Sequence, residues 1–446
     1  MRIKREITIF SILEFRDIEK HLEKRAAEGW MLKKVGTFLW NYEETTPQKV
    51  HFSIVFFPKT TALEPEPSDN LLMMREYCEK TGWKLVAENG QMQIFCNEEE
   101  KPLPIETEAC IQVENIHQTA KKNLTFVHWI LLINAFMQLG LQAMQFIFDP
   151  LNWLGLGYHF YLGLVWIALG IGSATELIQY YTWYHKAKRI AAEEEELYLP
   201  KSHTIFRGIY LGIAFVSLIL SILSIAEFTS SKYGVLVIVY AIMAIGVPLC
   251  VSRLLKERKV SAKKNRIAIV ILAVIVSVGM TAYTFVSIIK DFDNFFQKEK
   301  AVSLQISDFI EVEDEDFRES FRMSNSPFIS YVEGYQAAKW EEGAEEIMMI
   351  DYTILVIKAP FCYDFCKNEL LKEYSYLSDD VLIEKSGYKK IDAAKWGAEE
   401  VYCNYFDDEP SNKFVVCYED RMIKIDFSWD VTDSDMEKVS ELILKK

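Results

Sequence analysis

Hydrophobic positions follow three regimes along the chain. Over the first hundred residues they alternate or recur every three to four positions, in the middle they merge into long unbroken runs, and beyond residue 300 they alternate again. Five middle runs are long enough to span a bilayer: Leu124–Phe148, Tyr158–Tyr180, Ile205–Glu227, Tyr233–Leu254 and Ile267–Ile289. A helix needs about 20 mostly apolar residues to cross some 30 Å of hydrocarbon, and each run meets that length. Five such runs on short links predict a membrane-spanning five-helix α bundle, not buried helices of a soluble core. Pro248, after Gly246, should kink the fourth span.

The first hundred residues predict a small α+β domain. EITIFSI (Glu6–Ile12) reads as a strand, Arg16–Glu28 as a helix stopped by Gly29, and Trp30–Tyr42 and Lys49–Phe57 as strands. Ser68 or Asp69 caps a second helix reaching about Lys80, and Gly82 ends it. Trp83–Ala87 and Gln91–Cys96 then form a hairpin around Asn89-Gly90. The order βαββαβ(β) is that of a ferredoxin-like split βαβ sandwich. Two halves echo each other: EKRAAEGWMLKKV and REYCEKTGWKLVA both run helix, Gly-Trp, strand, with Trp30 and Trp83 read as core anchors. Residues 101–123 read as a linker.

The last third predicts a second α+β domain of 290–446. EEIMMIDYTILVIK (Glu345–Lys358) is strand-like and Phe361–Tyr374 helical. GAEEVYCNYF, KFVVCYE and RMIKIDFSW then alternate as a meander. A closing amphipathic helix sets Met436, Val439, Leu442 and Ile443 on one face. AAKW occurs at Ala337–Trp340 and again at Ala393–Trp396, with flanks that align poorly.

Composition alone hides this organisation. The whole chain is 50% hydrophobic and 25% charged, with mean hydropathy +0.03 and net charge −15. Split by region, residues 1–123 carry −3, residues 124–289 carry +5 and residues 290–446 carry −17. The acidic balance excludes direct nucleic-acid binding, which needs a basic face. Eight cysteines are too few for a disulfide scaffold. Orientation follows from the cations. Lys121 and Lys122 precede the first span. Lys186, Lys188, Arg189, Lys201 and Arg207 follow the second, and seven more from Arg253 to Arg266 precede the fifth. The opposite side has Lys232, Lys290, Lys298 and Lys300. The positive-inside rule predicts a multi-pass protein of the cell membrane, N-terminus cytoplasmic and C-terminus extracytoplasmic. The charged start MRIKRE does not resemble a cleavable signal.

Polar residues inside the apolar runs are the candidate sites. Asn134, Gln138, Gln142 and Gln145 fall on one helical face of the first span. Amides there are expected to hydrogen-bond neighbouring helices, with a polar conduit as the alternative. Glu176 is the one acid well inside a span, read as a functional candidate or as a structural acid that snorkels or pairs with Arg189. Acidic clusters at Glu311–Glu319 and Asp407-Asp408-Glu409 lack a calcium-loop spacing and read as solvated surface. Cys362 and Cys366 stand i, i+4 with no histidine after His203. Cys403 and Cys417 read as buried thiols, with a cross-strand disulfide as the alternative. His117 and His128 give no ligand geometry. No phosphate-binding glycine loop, GxSxG or HExxH motif occurs, so no catalytic residue, cofactor site or metal site is expected.

The run from Phe15 to Asn97, carrying DIEKHLEKRAAEGWMLKKV, FLWNYEE, VHFSIVFF and LLMMREYCEKTGWKLVAENGQMQIF, resembles the bacterial family called domain of unknown function 2812. The resemblance implies a bacterial membrane protein whose partner is linked to transcriptional regulators of the PadR type. It supplies no catalytic residues. The sequence thus leads to an expectation of a non-enzymatic sensor or regulatory protein in the bilayer with an unknown protein partner. The alternative is an accessory of a transport system.

Overall fold

A computed structural model describes residues 2–36, 39–193, 196–228, 231–290, 304–310, 317–338, 348–372, 386–406 and 408–444. The chain divides into two compact units. One comprises Met1–Leu139, Leu164–Val216 and Val239–Tyr283, the other Gly140–Gly163, Ser217–Ile238 and Thr284–Lys446.

The first unit builds one motif twice. Strand β1 (Ile3–Ile7), helix α1 (Phe15–Ala27), β2 (Trp30–Lys34) and β3 (Leu39–Glu44) form the first copy. The second is β4 (His51–Phe56), α2 (Asp69–Lys80), β5 (Lys84–Asn89) and β6 (Met92–Asn97). Each copy is a three-stranded antiparallel sheet of matching order, β1-β3-β2 and β4-β6-β5. Gly29 and Gly82 follow the two helices at φ +84° and +85°, the left-handed conformation that only glycine adopts without strain. Both copies shift register at the matching place, between Leu32 and Lys34 and between Leu85 and Ala87.

Two three-stranded sheets therefore replace the single sheet of the expected ferredoxin-like sandwich. The difference arises in Trp30–Tyr42, whose composition suits one long strand. The chain instead folds back at Gly36, where a Cβ would stand 2.6 Å from the Leu39 carbonyl oxygen. Two strands of a hairpin result, and βαββαβ(β) becomes βαββ twice.

The exposed edge of β4 would leave backbone donors unpaired. Glu19 of α1 answers this by accepting the Ile54 N–H at 2.8 Å, while Arg16 pairs with its other oxygen at 2.8 Å. Burial pushes the Glu19 carboxyl above its ordinary range, against the pull of Arg16 and the Ile54 N–H. Leu22, Ala26, Trp40, Tyr42, Phe52 and Ile94 fill the core. The stretch read as a linker carries α3 (Ala109–Ala120), whose Val113, Ile116 and Ala120 enter the same core.

Helix α3 continues through a π-helical turn, Lys121–Thr125, into α4 (Phe126–Phe148). Helices α5 (Pro150–Gly155), α6 (Gly157–Glu193), α7 (Thr204–Phe228), α8 (Ser231–Glu257) and α9 (Ala262–Lys290) follow. Among the described residues, three helical stretches are long and apolar enough to cross a membrane: Ala109–Phe148, Gly157–Glu193 and Thr204–Ile225. The fourth and fifth apolar runs lie in α8, which contains Pro248, and in α9. Helix α6 is much longer than a span. Its far end carries Tyr180, Trp183, Ala187 and Ala191 into the core around α1 and α3.

The second unit is organised by a seven-stranded antiparallel sheet. Strands β7 (Phe317–Asn325), β8 (Ile329–Ala338) and β9 (Met349–Ile357) form one meander. Strands β10 (Ser386–Ile391), β11 (Glu400–Phe406), β12 (Glu409–Cys417) and β13 (Arg421–Phe427) form another, joined to the first by β13 pairing with β9. Both faces are covered, which is why FVVC is an unbroken apolar run. Phe414 and Val416 face the layer holding α11 (Asp433–Leu444), with Val439 and Ile443 buried there. Val415 and Cys417 face the layer holding α10 (Tyr363–Leu370) and Leu154 of α5. Phe146 of α4 stacks on Phe365 of α10 at 5.8 Å.

Several sequence features lie outside the described residues: Glu194 and Glu195, Lys298 and Lys300, the acidic run 311–316, Lys339-Trp340 of the first AAKW, and Asp407.

Candidate functional site

An acid in an apolar span needs a partner, because neither water nor hydrocarbon will compensate its charge. Glu176 lies four residues before the point where α6 enters the first unit's core, and its side chain is 3% exposed. Its partner is Arg207, in the first turn of α7, rather than Arg189. Arg207 Nε donates to Glu176 Oε1 at 2.7 Å, and Nη2 stands 2.7 Å from the same oxygen.

Arg207 also reaches out of the helices. Its Nη1 donates to Glu14 Oε2 at 2.6 Å and to the Ile9 carbonyl at 2.8 Å. Glu14 stands in the helical turn that precedes α1, with a side chain 1% exposed. Its Oε2 accepts the Ser11 N–H at 2.9 Å, and its Oε1 accepts the His203 N–H at 2.7 Å and the Ser202 hydroxyl at 3.0 Å. Burial alone would raise this carboxyl. The Ser11 N–H, the Arg207 guanidinium and the His203 N–H outweigh it and hold Glu14 below the ordinary carboxylate range. One carboxylate thus joins the β1–α1 turn, the link between α6 and α7, and the Arg207–Glu176 pair.

A second connection lies beside it. The far end of α6 packs on α3, with His117 stacked on Tyr184 at 3.7 Å and the Tyr180 hydroxyl 2.8 Å from His117 Nδ1. Trp183 Nε1 donates to the Tyr198 carbonyl at 3.1 Å, which fastens the α6–α7 link onto the helix. His128 of α4 meets Ser173 of α6 at 3.2 Å.

None of the other sequence candidates is a member of this cluster. Gln142 is buried, its Oε1 lying where a Cβ on Gly163 would come within 3.1 Å. Its Nε2 has no partner among the described residues. Asn134 and Gln138 are half-buried and Gln145 is exposed. Cys403 and Cys417 are free, buried thiols, so the disulfide alternative is corrected. The register explains why: Cys403 stands opposite Phe414 and Cys417 opposite Glu400, on opposite faces of the sheet. Burial raises both thiols, Cys417 to about 12. Cys362 and Cys366 are likewise free and buried. Among the described residues, no group of three His, Cys, Asp or Glu side chains is placed to hold a metal ion.

Glu176 stands out in the sequence, whereas Glu14 carries no motif and Arg207 reads only as one more cation, just inside the helix after the basic link. The available signal was an acid, Glu14, flanked by Leu13 and Phe15, both nearly inaccessible. An acid between two core residues invites a search for a buried cation.

Residues 14–128 match the model of the family described as "Protein of unknown function (DUF2812)". The resemblance read over Phe15–Asn97 therefore holds, and it extends through α3 into the start of α4. No curated protein and no solved structure matches the chain.

Proposed function

We propose that the chain is a non-enzymatic, multi-pass membrane protein that couples an outer domain to a cytoplasmic one for sensing or regulation. The observation that carries this is the buried Glu14–Arg207–Glu176 cluster. It ties the turn before α1 to α6 and α7 through charge-assisted bonds of 2.6–2.7 Å. Such a cluster is sensitive to position, since a small separation leaves a charge buried and alone. A shift of α6 against α7 would therefore be felt at α1.

In this reading all five apolar runs cross the bilayer, with the basic links and the N-terminal domain in the cytoplasm and the acidic C-terminal domain outside. Contacts within the first unit support it. Lys256, at the end of α8, donates to the Ala62 carbonyl at 2.9 Å, and Lys259 pairs with Glu66 at 2.6 Å. The basic α8–α9 link thus meets the N-terminal domain. The α4–α6 link belongs to the second unit, where Gly155 packs on Tyr331 of β8. The protein partner, linked at family level to a PadR-type regulator, would meet the cytoplasmic domain.

Two measurements test the reading. In a chain with the exposed Cys110 and Cys250 replaced by serine, Phe361→Cys and Tyr77→Cys place single exposed thiols on the two soluble domains. An impermeant maleimide should label the first in intact cells and the second only after permeabilisation; the reverse pattern overturns the orientation. Arg207→Met should alter the transcriptional response, while Gln138→Ala with Gln142→Ala should leave it intact. Loss of uptake or efflux in the amide variant, with the response unchanged by Arg207→Met, would favour a transport accessory.

A further inference from the structure

A cavity of about 1360 Å³ lies within the first unit, against the duplicated βαββ domain, the π-helical turn and the start of α9. It exceeds the roughly 300–1,000 Å³ of pockets that hold drug-sized ligands. Its walls are largely apolar, with Ile18, Val35, Trp40, Phe56 and Met92 among them. Lys121, Lys122 and Arg266 also line it, whereas no aspartate or glutamate does so. Lys122 donates to the Pro58 carbonyl at 2.9 Å. Among the described residues Lys121 and Arg266 join no ion pair.

The lining also holds hydroxyls without partners. Thr8 and Thr119 are 5% and 1% exposed, and neither side-chain oxygen has a hydrogen-bond partner among the described residues. A buried orphan hydroxyl is uncommon, and two on one cavity offer hydrogen-bonding positions to a polar group bound there. The cavity therefore offers an apolar volume, a set of hydroxyls and a cationic lining, where α4 and α9 begin their apolar runs. The π-helical turn carries Lys121–Asn123 into it, and π turns gather at functional sites.

We propose that this cavity binds an amphiphile with an acyl chain and an anionic headgroup, the chain along the apolar walls and the headgroup at Lys121 and Arg266. This site stands on the cavity alone and does not require the coupling reading above.

The test is photocross-linking of the full chain in nanodiscs. The probes are phosphatidylglycerol, phosphatidylcholine and palmitic acid, each with a diazirine in the acyl chain. Phosphatidylglycerol should label Met92, Phe126 and Val270, which line the cavity, in preference to phosphatidylcholine. Ala62→Trp, a large ring at an exposed lining position, should abolish that labelling while leaving labels on the exposed Ile133 and Phe136 of α4. Lys121→Gln with Arg266→Gln should weaken phosphatidylglycerol capture about 30-fold, each cation near an anionic headgroup contributing about fivefold. Thr119→Val deletes one orphan hydroxyl with little change of shape and should lower capture about fivefold. It tests the site even if Ala62→Trp fails to fold. Cavity labelling by palmitic acid but not phosphatidylglycerol would identify a free single-chain acid as the source of the same chemistry. Labels confined to the outer face of α4, equal labelling by phosphatidylcholine, or cavity labels unchanged in both Ala62→Trp and Thr119→Val would overturn the proposal.

Discussion

Arg207→Met removes the one cation between two buried carboxylates and keeps most of the side chain's volume. Arg207, Glu14 and Glu176 have side chains only 8%, 1% and 3% exposed, so neither acid can recover hydration in place. Removing one member of a buried ion pair costs about 3–5 kcal/mol, and every 1.4 kcal/mol is a factor of ten. If the loss falls on local opening of the turn before α1, the lower figure raises the open population about 150-fold. Hydrogen exchange of the full chain in nanodiscs reads this directly. The amides of Ser11 and His203 both donate to Glu14 and report from the two sides of the contact. Both should exchange about two orders of magnitude faster in the variant at pH 7.

Glu14→Gln, Arg207→Met and Glu176→Gln together leave no buried charge, and the side-chain amide oxygen then present in the β1–α1 turn can still accept from Ser202 and His203. Replacing a whole buried charge cluster by neutral groups is often near neutral, so the triple variant should regain most of the lost protection at the His203 amide. The pH dependence is also fixed in sign. A carboxyl held below its usual range contributes stability above the unfolded value, near 4.5, which is lost as pH falls through the folded value. Without Arg207, burial instead favours the protonated acid. The gap between variant and wild type should be widest near neutrality and narrow below about pH 5. Exchange at both amides within about fivefold of wild type would refute the reasoning, as would a triple variant no tighter than the single one.

Three further outcomes follow from other contacts. Gly29→Ala places a Cβ 2.9 Å from the Thr45 carbonyl oxygen at φ +84° and should cost about 1–3 kcal/mol. At Gly82 the Cβ meets the Asn97 side chain at 3.0 Å, so Gly82→Ala should lower the thermal midpoint less. Glu19→Leu leaves the Ile54 N–H without its acceptor and should cost about 1–3 kcal/mol, whereas Glu19→Gln keeps the acceptor and should melt at or above wild type at pH 7; chemical denaturation distinguishes them. In the C-terminal domain, hydrogen bonds from Lys390, Lys367 and Tyr402 pull the Glu400 carboxyl down to about 2. The midpoint difference between wild type and Glu400→Gln should be constant above about pH 5 and vanish towards pH 2; a difference that grows on acidification would contradict it.

Most of the helical architecture was legible because long apolar runs and a glycine stop are local signals. The residues Phe15–Ala27 and Asp69–Lys80 lie within a position of their expected bounds. Strands failed where local and global information parted. Gly36 was too weak a mark to split Trp30–Tyr42, and the polar β7 and β10 were missed because edge strands bury less. The far end of α6 looked like a basic loop because Lys186, Lys188 and Arg189 interrupt its apolar pattern, while Trp183, Ala187 and Ala191 point into the core. Glu14 and Arg207 are 193 positions apart, a separation that no periodicity or motif can bridge.

The duplication itself supplies a control for what Glu14 and Glu19 do. Gly29 and Gly82, Leu39 and Met92, and Glu44 and Asn97 are each 53 positions apart, so the copies superpose in sequence from the helix onward. At that offset Glu14 corresponds to Pro67 and Glu19 to Leu72, which is 49% exposed. The second copy keeps the three strands, the helix, the glycine turn and the register shift without either buried acid. Those acids are therefore not required by the βαββ scaffold. Each serves a contact peculiar to the first copy: Glu19 closes the edge of β4, and Glu14 binds the guanidinium of α7. A buried acid that does not make its own fold, and whose cation belongs to a helix of another segment, is explained by the junction it holds.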